Sequence, residues 1–300
     1  MGSSPPVCDY EGSDYYTRFW QGHGRDYEDR VERIALRRLL PPTGSTLIEV
    51  GAGFGRLANE YAGYEKVVLF DYSRSLLREA QKHLGDDPRF IYVAGNWYNM
   101  PFVDGLFNTL VQIRTIHHAA NVPQLLQQLT RIAHPTGTYI LEFANKKNLK
   151  AILRFLVRQQ RWSPFVLEPV EFVELNYNFH PRWIQQQLES SQFSPNKRLT
   201  VSHYRFNLIK KLIPTGILVF FDSLAQWTGN WWQISPSVFV QSQHVSTNMP
   251  AEAHAFFACP TCFTPLGQPN GNLLTCENTT CRHQWRYEGR LYDFKEPVSP

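Results

Sequence analysis

The 300-residue sequence lacks any stretch long and apolar enough to cross a bilayer. Its longest apolar run, 217–221, is cut by Pro214, Gly216 and Asp222, whereas a span needs about 20 such residues. The start has no basic cluster leading into an apolar segment, so no secretory signal is read there. A strong excess of either charge is also missing. Thirty Lys and Arg face 26 Asp and Glu, and a formal net charge of +4 does not by itself mark a nucleic-acid binder. Repeats and low-complexity tracts are absent, and 43% hydrophobic with 19% charged residues excludes a disordered or collagen-like chain. Cysteine is scarce. Of five, Cys8 stands alone and Cys259, Cys262, Cys276 and Cys281 crowd into the tail. A disulfide framework would spread pairs along the chain, so this crowding reads as a metal site in a reducing compartment. The expectation is a soluble cytoplasmic protein.

What is present is an alternation of short β-rich runs with helical stretches. Tyr27, Val31, Ile34, Ala35 and Leu39 make one apolar stripe of a helix over 26–40, stopped by Pro41 and Pro42. Apolar runs follow at 46–50, 66–70, 90–93, 109–113 and 138–143, with helical segments expected at 56–61, 73–84 and 122–133, and beyond them a helix over 146–161 and a strand over 199–205. Strand and helix in this order predict an α/β fold, a parallel sheet with helices on both faces.

The sharpest motif is Glu49-Val-Gly51-Ala-Gly53-Phe-Gly55-Arg56, running from a strand towards a predicted helix. Alternate glycines let the backbone turn tightly and let a ligand lie against bare peptide. A dinucleotide loop would read G-x-G-x-x-G, and here the third glycine comes one residue early. The second strand ends at Asp71, whose carboxylate can accept both hydroxyls of a ribose.

In these residues the chain resembles the class I S-adenosylmethionine-dependent methyltransferases over about 26–243. Glu49, Gly51, Gly53 and Gly55 are similar to their first motif and Asp71 to their acidic residue after the second strand. Gly95-Asn96 ahead of Met100-Pro101-Phe102 is similar to their segment near the adenine, with Asn96 where Asp is usual. An amide oxygen accepts the adenine amino group as a carboxylate does, without charge assistance. Tyr72 either stacks on adenine or fills core. Tyr15, Tyr16, Phe19 and Trp20 form either a lid over the cofactor or a staple onto the sheet.

The resemblance implies methyl transfer by in-line displacement, in which the protein positions the reactants and excludes water. His117 and His118, where the fourth strand meets the pocket, are the candidate base or substrate contacts. Arg114 beside them meets either an anionic acceptor or an acidic neighbour. Cysteine-mediated pyrimidine methylation is set aside because the only cysteine outside the tail, Cys8, lies in the leader. Amino-group methylation of adenine or cytosine is set aside too, since the segment after the fourth strand has no proline.

The sequence divides into a methyltransferase domain over 1–243, with a helical basic insert at about 146–235, and a zinc-ribbon-like domain over 251–300. Cys259-x-x-Cys262 and Cys276-x₄-Cys281 can present a tetrahedral S₄ set for structural zinc, with His283 a conceivable substitute for one thiol. The tail is similar to small zinc-ribbon proteins that activate tRNA and release-factor methyltransferases, and to the ribbon of some ribosomal-RNA guanine methyltransferases. Yet it carries four Lys and Arg against five acids, the wrong balance for gripping phosphates. Residues 146–211 hold twelve Lys and Arg against four Glu, +8 in all. That surface suits an anionic acceptor, a membrane surface or RNA, or is simply a solvated helix face. The expected acceptor is a small or lipid-like molecule. The alternatives are an RNA guanine or a protein side chain docked through the ribbon, and a cofactor-binding adaptor without catalysis.

Overall fold

A computed structural model describes residues 5–12, 25–246 and 255–298. The elements in chain order are α1 (Asp26–Leu39), β1 (Gly44–Val50), β2 (Tyr64–Asp71), α2 (Arg74–Leu84), β3 (Phe90–Ala94), β4 (Phe107–Gln112), α3 (Val122–Ile132) and β5 (Ala133–Ala144). Then come α4 (Leu149–Leu156), β6 (Val170–Val173), β7 (Asn176–Asn178), α5 (Pro181–Ser190), β8 (Phe193–Val201), α6 (Asn207–Leu212), α7 (Thr215–Ala225) and β9 (Ser237–His244). The tail adds β10 (Leu273–Thr275), β11 (Gln284–Glu288) and β12 (Leu291–Asp293).

The main sheet runs β10-β11-β12-β3-β2-β1-β4-β5-β9-β8. Strands β1 to β5 are parallel and β9 lies antiparallel between β5 and β8. Their central residues, such as Ile48, Val68, Val93, Leu110 and Leu141, are fully buried. That is why they read as continuous apolar runs rather than as alternating ones. The chain order reverses between β1 and β4, so the carboxyl ends of these strands diverge and leave a crevice.

Three expectations need correction. The glycine loop does not enter an α-helix, because 58–61 form only a 3₁₀ turn. Gly51, Gly53 and Gly55 all hold positive φ, at 77°, 54° and 75°, and a left-handed residue at each alternate position cannot propagate a helix. The strand expected over 199–205 lies at Phe193–Val201 instead, an edge strand with a register shift between Pro195 and Lys197. The helix expected over 146–161 begins only at Leu149, where Asn148 caps it by accepting from the Ala151 amide.

The tail extends the sheet. β12 pairs in parallel with β3, Leu291 opposite Tyr92 and Asp293 opposite Ala94, and the Phe294 amide donates to the Ala94 carbonyl at 2.7 Å. Arg74 on α2 donates to Asp293 at 2.7 Å. Trp285, Phe294 and Phe257 are buried in the same apolar cluster as Phe70, Phe102 and Phe107. One continuous core therefore joins tail and main sheet. A Trp285→Ala substitution should lower the stability of the entire chain by about 3–5 kcal/mol. Thermal unfolding is expected to shift as one transition. A tail melting alone, with the main transition unmoved, would contradict the shared core.

Candidate active site

The crevice at the carboxyl ends of β1, β2 and β4 forms a partly open cavity, the place where sheets of this topology bind ligands. The glycine loop forms its floor and Asp71 and Tyr72 one wall, with Gly95 and Trp97 beside them. Ile113, Arg114, Thr115 and His118 close the opposite side. The loop is placed by backbone bonds, since the Gly51 and Ala52 amides both donate to the Phe70 carbonyl. Thr115 ties β4 to β1 by donating to the Val50 carbonyl at 3.0 Å. A Cβ on Gly51 would stand 2.3 Å from the Thr115 methyl, so only glycine fits that position.

Two carboxylates face this space. Asp71 accepts from the Gly53 amide at 2.7 Å and from the Ser73 amide at 2.8 Å. Burial raises its pKa nevertheless, even though these amides oppose the shift. Glu49 is the more unusual group. It is buried, its Oε2 makes no close hydrogen bond, and burial pushes its pKa up to about 7 against the opposing pull of Arg56 and the nearby Tyr61 hydroxyl. A carboxylate oxygen without a close hydrogen bond, lining a cavity, is a receptor for a cation or a hydrogen-bond donor. The ammonium, sulfonium and ribose hydroxyls of S-adenosylmethionine match this pair of acids and the bare loop between them.

The histidines separate. His118 lines the cavity, and its Nδ1 lies 2.9 Å from the Leu175 carbonyl, which can only accept. Nδ1 therefore carries the proton and Nε2 offers its lone pair to the Tyr10 hydroxyl at 3.2 Å. Burial lowers the His118 pKa and keeps the ring neutral. The His117 ring packs at a tilt of 49° against His118, 4.1 Å between centroids, lies off the cavity lining, and is held well below its ordinary pKa by burial. Asn96 likewise stands outside the lining and accepts from the Tyr98 amide at 2.9 Å. Tyr72 lines the cavity with Lys295 Nζ 3.9 Å above its ring.

Arg114 meets an acidic neighbour. Its guanidinium grips the buried carboxylate of Glu32 with two prongs, and its amide donates to Glu142 at 2.8 Å. Arg56 joins the same carboxylate at 3.1 Å and also reaches Asp29. Burial alone would raise the Glu32 pKa, but Arg114 and Arg56 outweigh it and hold the group below the usual range.

Sequence reasoning missed the strap formed by residues 5–12. Val7, Cys8 and Tyr10 line the cavity. Glu11 accepts from the Arg74 and Ser75 amides at the start of α2, and Lys295 pairs with Asp9 at 3.4 Å. Cys8, assigned to a leader, thus sits at the site, but burial raises its thiol pKa and leaves little thiolate for attack. Nothing in the local pattern marks this strap, because its contacts are 63 to 286 residues away in sequence. The candidate lid residues Tyr15, Tyr16, Phe19 and Trp20 lie outside the described residues.

In the tail, the sulfurs of Cys259, Cys262, Cys276 and Cys281 all lie within 4.8 Å of one another. Phe263 and Arg282, each just after a knuckle's second cysteine, hold left-handed backbone that folds the chain back. His283 stands apart, sharing a hydrogen bond with Thr261 at 3.0 Å.

The sheet order and the crevice are those of the mixed α/β, Rossmann-like methyltransferase fold. Residues 48–141 match the family described as a methyltransferase domain. The chain is 30% identical over 119 residues to a mitochondrial 2-methoxy-6-polyprenyl-1,4-benzoquinol methylase of Dictyostelium discoideum, covering 37% of each chain. It is 26% identical over 121 residues to 24-methylenesterol C-methyltransferase 2 of Oryza sativa subsp. japonica, covering 39% of this chain and 32% of that one. The chain thus spans about a third of the length of these curated relatives. Among solved structures, one chain from the complex of the Haloferax volcanii Trm112 methyltransferase activator with a putative methyltransferase shares the fold. Its TM-score is 0.53 at 12% identity, over 77% of this chain and 97% of that one.

Two outcomes test the site. Gly51→Ala should abolish cofactor binding by calorimetry. Gly53→Ala, whose nearest neighbour would be 4.0 Å away, should cost only backbone strain of about 1–2 kcal/mol. Glu49 must ionise to hold a cation. Affinity for S-adenosylmethionine should therefore rise as pH climbs through about 7, by up to about tenfold per unit below that value. Glu49→Gln should remove this part of the pH dependence. An unchanged profile in the variant would exclude Glu49 as the titrating group.

Proposed function

We propose that this chain transfers the methyl group of S-adenosylmethionine to a small, lipid-like acceptor. The observation that carries the reading is the Glu49 oxygen without a close hydrogen bond, facing the same cavity as Asp71 and the glycine loop. Glu49 would hold the cationic end of the cofactor, Asp71 its ribose hydroxyls, and Gly51, Gly53 and Gly55 would let it lie flat on peptide. Asn96 would contribute to the adenine end after a turn of its amide. Bound, the cofactor supplies an electrophilic methyl on a positive sulfur. The quinol and sterol methylations named for the relatives favour acceptors of the same chemical kind.

His118 is the proposed base. Its Nε2 lone pair can take a proton from Tyr10 as Tyr10 takes one from an acceptor hydroxyl, or act directly on the acceptor once the strap moves. His117 would support the His118 ring by packing against it. The neighbouring nitrogen is neutral because burial lowers its pKa below the ordinary 6.5, so the base remains competent on the acid side of that value. The four thiols would hold zinc in a closed tetrahedral set, which leaves no open coordination position and gives the metal a structural role. Four reduced cysteines suit a reducing compartment such as the cytoplasm.

Radiolabelled S-adenosylmethionine, offered with lipid, protein and RNA fractions, should label the lipid pool. His118→Gln should lower the rate by about 10²–10⁴-fold with little change in cofactor affinity. Ribonuclease-sensitive label would transfer the reading to RNA. Metal analysis should find one zinc per chain, and Cys276→Ser should release it and lower the thermal midpoint.

A further inference from the structure

The insert that follows β5 exposes more apolar surface than any other part of the described chain. On α4, Leu149, Leu153 and Leu156 fall at i, i+4 and i+7 and are 47%, 54% and 65% exposed. On α6, Leu208 and Leu212 reach 70% and 73%. On α7, Ile217, Phe220, Phe221 and Leu224 stand outward, and Trp231 is 78% exposed with Trp232 beside it. Scattered apolar residues on a surface are ordinary, but a contiguous face of this kind marks an interaction site. The parts are joined. The Leu149 amide donates to the Ile234 carbonyl at 2.8 Å. A groove runs between the start of α4 and the segment leading into α6, lined by Lys150, His203 and Arg205 together with Leu149, Phe206 and Ile234.

The helices of this face carry mostly one sign of charge, while exposed Glu168, Glu171 and Glu174 lie in the segment between α4 and α5. Over 146–167 and 205–236 the only carboxylate is Asp222, and it is buried. Lys150, Arg154 and Arg158 are exposed and form no ion pair with a carboxylate among the described residues. A second copy of the chain would bring like charges face to face. Nucleic acid would satisfy the cations but leave the leucines and phenylalanines against water. An anionic lipid surface satisfies both. Tryptophan pairs at the edge of such a face match the amphipathic boundary between headgroups and acyl chains. No helix among the described residues is long and apolar enough to cross a membrane, so the contact is peripheral.

We propose that α4, α6, α7 and the Trp231–Trp232 corner form a docking face for anionic membranes. α4 begins five residues beyond β5, at the same carboxyl edge of the sheet as the cavity. Docking through this face holds that edge near the bilayer. The proposal stands whether or not the methyl acceptor is a lipid, because the contact needs neither cofactor nor turnover.

The purified full chain is to be sedimented with vesicles of phosphatidylcholine alone and of phosphatidylcholine mixed with phosphatidylglycerol, while tryptophan emission is recorded. Binding to the anionic vesicles with a blue shift is expected, weakening with salt. Lys150→Gln, Arg154→Gln and Arg158→Gln combined should reduce partitioning roughly a hundredfold at low salt. Trp231→Ser with Trp232→Ser should abolish the blue shift. Arg78→Gln with Lys82→Gln, on α2, should leave binding unchanged. All substituted side chains are exposed, so folding is checked simply by circular dichroism. No sedimentation with either vesicle overturns the proposal, as does equal loss of binding in the α2 variant. So does binding of single-stranded RNA without vesicle binding, or a dimer in solution that the Trp variant dissociates.

Discussion

One buried carboxylate organises the carboxyl edge of the sheet. Glu32, on α1 and 1% exposed, is held by two prongs of Arg114 and by Arg56. Arg114 ends β4 in left-handed backbone at φ 59°, a conformation that costs a non-glycine residue about 1–2 kcal/mol. The Glu32 pair and the bond from its amide to Glu142 repay that cost and fix where β4 stops. Arg56 directly follows Gly55, so the same carboxylate also anchors the glycine loop to α1. A buried pair of this kind adds little net stability over apolar packing, but removing one partner costs about 3–5 kcal/mol because the other charge remains buried. Its importance is therefore geometric. It ties the loop and the end of β4 to one point on α1, and both arginines that it holds line the cavity.

The parallel strands were legible because burial on both faces turns each into a short unbroken apolar run. β1 to β5 all lie where 46–50, 66–70, 90–93, 109–113 and 138–143 placed them, extended by one to five residues at an end. The glycine loop and Asp71 were legible for a different reason. Both depend on backbone that few residues can adopt or on a strand terminus, and both are local in sequence. What failed was non-local or weakly buried. β8 escaped because Pro195 and Lys197 break its pattern at an edge. The β6–β7 hairpin escaped because none of its residues is buried and they include Glu171.

The same distinction divides the site. Glu49 and the three glycines were legible as a motif, whereas Glu32 is 82 residues from Arg114 and no periodicity connects them. The separation of the two histidines turns on a 3₁₀ turn over Ile116–His118, which sends adjacent side chains to different surroundings. The cysteine spacing announced its own cluster. The strand that attaches the tail, only three residues long, did not, because its signal is the open edge of β3 and not its composition. That edge would otherwise present unpaired backbone groups and invite aggregation. β12 closes it with parallel pairing, and β11 and β10 carry the edge outward to short antiparallel strands.

The strap and the tail meet at the cavity through a single cation. Lys295, 6% exposed at its side chain, sits above Tyr72 and within 4 Å of both Asp9 and Glu11. Glu11 in turn occupies the first amides of α2, and Tyr10 reaches His118. Any entry of cofactor beneath the strap must therefore loosen contacts that the tail supplies. A tail folded by its four thiols and registered on β3 holds Lys295 in place, and an unfolded one would leave Asp9 and Glu11 without that partner. The ribbon-like tail thus reaches the strap through Lys295, whose partners Asp9 and Glu11 flank the cavity-lining Tyr10. The opposite flank, where β5 leads into α4, is left to the basic apolar insert. Tail and strap thus border the sheet on its β3 side and the insert leaves it on the β5 side, with the cavity at the carboxyl ends of the strands between them.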